Sequence, residues 1–79
     1  MAEGNLDPRY KGLADRVYYG DLTAEELKFA VAEPKPGKDF DDVISAANYA
    51  QLVAESEGKD EEATIHAMAR ALAEVVDLK

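Results

Sequence analysis

The side chains of this chain that carry chemistry are mostly carboxylates. Asp39, Asp41 and Asp42 form one group, and Glu55, Glu57, Asp60, Glu61 and Glu62 form a second. Three kinds of chemistry use carboxylates at such spacing: metal ligation, paired acid–base catalysis, and docking on a cationic surface. Calcium loops need alternating oxygen ligands, a glycine at the tight turn and a terminal Glu. Asp39-Phe40-Asp41-Asp42 alternates for one step and stops, and Glu55 to Glu62 has Gly58 without the twelve-residue order. A paired-carboxylate catalyst needs one selected pair, and nothing here selects one. His66 is the single histidine, with Glu62 one turn before it and Arg70 one turn after. A di-iron bundle places Glu and His three apart on two helices, so His66 reads as part of a surface Glu–His–Arg ladder. Ser45, Ser56, Thr23 and Thr64 have only that imidazole as a base, and a nucleophile needs both a base and an orienting group. There is no glycine-rich phosphate loop and no cysteine, which removes thiolate metal sites and disulfides. The expectation is therefore no catalytic residue, no metal ligand set and no cofactor.

Docking survives this elimination. Lys and Arg total nine against 17 Asp and Glu, a net charge of −8. Phosphate backbones and anionic membranes need cations to displace their counterions, so neither is expected as a direct partner. Residues 1–38 hold six cations and seven anions; residues 39–79 hold three and ten. The surplus charge therefore sits in the C-terminal half, in two groups ~24 Å apart along a helix rising 1.5 Å per residue. Such carboxylates can occupy a protein's basic patch in place of phosphates. Six of the eight also suit helix caps and first turns, where acids complement the helix dipole; Glu55 and Glu57 fall at the unfavourable end. Tyrosine is favoured at interfaces, and Tyr18 and Tyr19 are adjacent, so both cannot face one core. Together with Leu52 they are the apolar candidates for contact.

Four helices must position these groups. Asp7-Pro8 opens the first, with Leu6, Tyr10, Leu13 and Val17 at helical spacing and Gly20 as its stop. Thr23 and Glu26 form a capping-box pattern, flanked by Leu22 and Leu27 where a hydrophobic staple forms. That helix is expected to run over 24–33, until Pro34-Lys35-Pro36-Gly37 ends it. Asp39 caps a third helix over 40–57, whose apolar arc of about 220° reads as a central helix touching two neighbours. Leu52 falls outside that arc, beside Ser45, Asn48 and Glu55. Gly58 ends it, and Asp60 caps a fourth helix over 61–77, with Ile65, Met68, Ala69, Leu72, Val75 and Val76 on one face. So short a link makes helices three and four an antiparallel hairpin, with alanines at 46, 50, 54, 63, 67 and 71 allowing close approach.

The expected fold is all-α: a small bundle of about four helices (8–19, 24–33, 40–57, 61–77) in one domain over 1–79, with 1–6 flexible. Residues 1–6 lack the basic and apolar regions of a secretory signal, and the longest apolar run, residues 29–32, is far below the ~20 residues of a membrane span. A cytoplasmic location is expected. The expected function is a non-enzymatic, acidic protein-binding module, an inhibitor or adaptor that docks on a basic protein surface. Nucleic-acid mimics of the kind phages and mobile elements use are one form of it. The alternatives are a self-associating structural subunit, such as a homodimer, and a small metal-binding or catalytic domain. The expected contact residues are Asp39, Asp41, Asp42, Glu55, Glu57, Asp60, Glu61, Glu62, Tyr18, Tyr19 and Leu52.

Overall fold

A computed structural model describes residues 6–20, 22–29 and 32–78. Helix α1 (Pro8–Tyr19) starts where the Asp7 carboxylate accepts from the Arg9 backbone N–H and Pro8 fills the first turn. Helix α2 (Ala24–Phe29) starts on a complete capping box. The Thr23 hydroxyl accepts from Glu26 N–H at 3.1 Å, and Thr23 N–H donates to the Glu26 carboxylate at 3.3 Å. The other oxygen of Glu26 takes Arg16 at 3.1 Å, which ties α1 to α2. Leu22 and Leu27, on either side of the cap, are both buried, as a hydrophobic staple requires.

Helix α3 (Phe40–Ser56) also opens on a box, in which Asp39 and Asp42 each accept the other's backbone N–H. It closes in a Schellman turn: Lys59 N–H reaches Ala54 O at 3.1 Å and Gly58 N–H reaches Glu55 O at 3.0 Å. Gly58 takes φ +78°, left-handed geometry that glycine adopts without a Cβ clash. Two residues later Asp60 caps helix α4 (Glu61–Val75) by accepting from Ala63 N–H.

The described chain is mostly helical, with one addition. Strand β1 (Ala32–Pro34) pairs antiparallel with strand β2 (Val76–Leu78), Glu33 opposite Asp77. Two expected helices are thereby shortened. The 24–33 helix ends at Phe29, with residues 30 and 31 outside the described set, and the 61–77 helix ends at Val75. The physical cause is pairing between segments over forty residues apart, which gives their backbone groups partners that further helical turns would otherwise supply. Lys35 N–H extends the ladder to Val75 O, and the Tyr10 hydroxyl donates to Val76 O at 3.0 Å. Lys35 and Asp77 close it with an ion pair at 2.9 Å. Helix α3 ends one residue earlier than expected, with Glu57 as its cap. Residues 1–5 lie outside the described set, and Leu6 is half-buried against the core.

The core is centred on α4, not on α3. Thr64, Ile65, Met68, Ala69 and Leu72 are buried along it, and it packs against both α3 and α1 while running into β2. Helix α3 contributes Val43 and Ala47 to the same cluster, α1 contributes Leu13 and Ala14, and Leu22, Leu27, Ala32 and Val76 complete it. Helix α3 touches two neighbours, as its wide arc implies, but packs mainly on α4 and only lightly on α1, so much of its alanine-rich arc is left half-buried. Ala54 is buried, but Ala46 and Ala50, and Ala63, Ala67 and Ala71, are each partly exposed, so most of the two four-residue alanine rows flanks the buried seam. No helix among the described residues is long and apolar enough to cross a membrane.

Candidate protein-docking face

Burial of Val43, Ala47 and Ala54 fixes which way α3 turns, and the opposite side follows from the 100° step. Asp41, Ser45, Asn48, Leu52 and Glu55 fall on one line at spacings of four, three, four and three, and all five are exposed. Leu52 is 65% exposed and Tyr49, at the margin of the same face, 70%. Large apolar side chains thus stand in solvent between carboxylates at the two ends of one helix. Tyr19 is the third large exposed apolar residue among those described; its ring meets Tyr18 edge-on at 4.8 Å. Tyr18 itself is half-buried against the core.

The eight acids singled out from the sequence divide by what their carboxylates already do. Asp39 and Asp42 are engaged in the α3 capping box, and Asp60 caps α4. Glu62 pairs with Lys11 across to α1 at 3.2 Å, Glu57 with Lys59 at 3.6 Å, and Glu55 accepts from the Gln51 amide at 3.3 Å. Asp41 and Glu61 have neither a hydrogen bond nor an ion pair among the described residues. The two groups stay apart at opposite ends of α3, so they form two acidic poles. Perturbed ionisation lies elsewhere. The Arg9 guanidinium and N–H hold the Asp7 carboxyl below the usual range, and a hydrogen bond to Asp77 holds the Lys35 ammonium above the usual lysine range.

Beside the α3 line a cavity of about 410 Å³ opens towards the end of α1. Its floor is Val17, Leu22, Phe40 and Ile44, and its rim carries Asp41, Ser45 and Asn48. A second, shallower groove of about 720 Å³ runs along α4 past Lys59, Glu62, His66 and Arg70, which are exposed on one side of the helix, while the Glu62 carboxylate pairs with Lys11. Among the described residues no cluster of three His, Asp or Glu side chains could hold a metal ion.

The exposed Tyr49 and the cavity-lining Ser45 and Asn48 are not among the contact residues expected from the sequence. Tyr49 sits at the edge of the apolar arc, where the helical period alone does not separate buried from exposed. Ser45 and Asn48 gain meaning only from the cavity beside them, which depends on how α1 meets α3. Comparison of the chain with family models, with curated proteins and with solved structures finds no match.

Proposed function

We propose that the protein is a non-enzymatic, acidic protein-binding module, a single cytoplasmic domain that docks on the basic surface of a partner protein as an inhibitor or adaptor. The observation that carries this reading is the outward face of α3, where Leu52 and Tyr49 are exposed between acidic poles. Exposed apolar side chains supply contact area, and the flanking carboxylates select a cationic partner and speed the encounter. A surface that held nucleic acid would suit it, since carboxylates at both ends of a rigid helix can replace phosphates. In this reading α3 and α4 act as an antiparallel hairpin that carries Glu55, Glu57, Asp60, Glu61 and Glu62 at its tip, and no cofactor takes part.

The test is capture of the partner by the full chain, followed by binding measurements with the purified pair. Affinity should fall steeply with added salt, and fall again with Glu55→Lys, Glu57→Lys and Glu61→Lys together or with Leu52→Asp alone. Unchanged binding by both variants, with native helix content, would refute the reading. The exposed Leu52 and Tyr49 also favour a second reading, self-association through α3. Light scattering during gel filtration decides it, because a mass of 8.6 kDa at every concentration rules it out.

A further inference from the structure

We infer that the cavity between α1 and α3 is the arginine pocket of the docking face: it seats an arginine side chain of a protein partner, stem on the apolar floor and guanidinium on the α3 rim. This inference rests on the docking reading above and names the chemistry at its centre. The floor consists of Val17, Leu22, Phe40 and Ile44; Leu22 is buried, and the other three pack against the core on one side and stay partly open on the other. Such a floor suits an aliphatic stem, because long cationic side chains lay their methylenes on apolar surface while the charged head stays in water.

The rim supplies the acceptors. Asp41, Ser45 and Asn48 follow at four and three residues on α3, so their side chains project to one side of the cavity. None of the three side chains has a hydrogen-bond partner among the described residues, and the described lining contains no Lys or Arg. A carboxylate, a hydroxyl and an amide oxygen in a row accept several bonds from one planar group. A guanidinium presents five donors in a rigid fork, whereas an ammonium presents three on a point charge. Asp41, the one charged side chain among the described lining residues, in a chain of net charge −8, is complementary to a cation. A neutral apolar side chain would leave Asp41 desolvated without compensation.

The test uses the full chain, isotope-labelled, with hexa-arginine as the probe and hexa-citrulline, of the same shape without charge, as its control. Amide shifts are followed on addition of peptide to the native protein and to Asp41→Asn, Glu61→Gln and Ser45→Phe. All three substituted positions are exposed, so native helix content is expected in each variant. Hexa-arginine should shift the amides of Val17, Ile44, Ser45 and Asn48. Asp41→Asn should weaken binding roughly fivefold, the size of one exposed ion pair. Glu61→Gln removes the same charge at the distant pole and should change affinity less than half as much. Ser45→Phe should block the cavity mouth, and hexa-citrulline should leave the cavity amides unmoved. Hexa-arginine that moves only residues 55–62, or that weakens equally with Asp41→Asn and Glu61→Gln, overturns the pocket and leaves the acidic docking reading standing. Equal binding of hexa-citrulline also overturns the pocket. No shift at any residue overturns both.

Discussion

Two leucines in this chain differ in almost nothing except burial, which makes them a direct test of where the core lies. Leu72 on α4 is 0% exposed and Leu52 on α3 is 65% exposed. Replacing either by alanine deletes the same atoms. At Leu72 the deletion leaves a cavity in the buried cluster that also holds Met68, Ala69 and Val43, and buried Leu→Ala changes cost ~2–5 kcal/mol. At Leu52 only about a third of the side chain is withdrawn from water, so of the ~1.5–3 kcal/mol for full burial less than about 1 kcal/mol is at stake. A chain of 79 residues at ~0.05–0.15 kcal/mol per residue holds ~4–12 kcal/mol in total. Leu72→Ala therefore removes a large share of the stability and Leu52→Ala little. Urea unfolding followed by far-ultraviolet dichroism reads the difference. With a slope of ~1 kcal/mol per molar, the Leu72 midpoint should fall by ~2–5 M and the Leu52 midpoint by under ~1 M. If Leu72→Ala does not fold, Ile65→Val, 4% exposed, supplies a gentler probe worth ~0.5–1.5 kcal/mol. Equal losses at the two leucines, or the larger loss at Leu52, would refute a core centred on α4.

Further outcomes follow from local geometry. Gly12→Ala should stabilise α1 by ~0.5–1 kcal/mol, because the glycine is in mid-helix and a Cβ there meets nothing within 4 Å. Gly58→Ala should cost ~1–2 kcal/mol at φ +78°, so the two melting temperatures must move in opposite directions. Tyr10→Phe removes the hydroxyl that holds Val76 O at 3.0 Å and should cost ~0.5–1.5 kcal/mol, with faster amide exchange at Lys35; unchanged exchange would break the proposed link between α1 and the sheet. Lys35, held above the ordinary lysine range by Asp77, stabilises the fold fully below the unfolded-chain pKa and loses that contribution as pH climbs through the raised one. A carbon-13 titration of its side chain should show Asp77→Asn returning it to the ordinary range, and no movement would remove Asp77 as the cause.

The start of each helix was legible because caps are local. Asp7, Thr23, Asp39 and Asp60 each find a backbone N–H within three residues, and no distant contact is needed to place them. The second half of the Asp39 box went unread, since an aspartate at the third position is an uncommon closing residue where Glu or Gln is the usual signal. Helix ends were less legible where the competitor was remote. Residues 32–33 and 76–77 fall within the helices expected from the sequence, yet they belong to two strands that pair with each other, and no window of local sequence contains both. The same limit governs the site. Leu52 faces outward because the period of its own helix sets it opposite Val43, Ala47 and Ala54, and that was visible in the residues. The cavity joins Val17 and Leu22 to Phe40 and Ile44, so it exists only once α1 has been laid beside α3. Alanine content could not supply that arrangement. Ala46, Ala50 and Ala54 announce that something approaches α3 closely, and only the bulk of Met68 and Leu72 on α4 decides which helix fills the centre and which keeps a face for solvent. A docking surface made by such a remainder is set by the core's geometry. Repacking α4 should therefore alter the arginine pocket even though no α4 residue lines it.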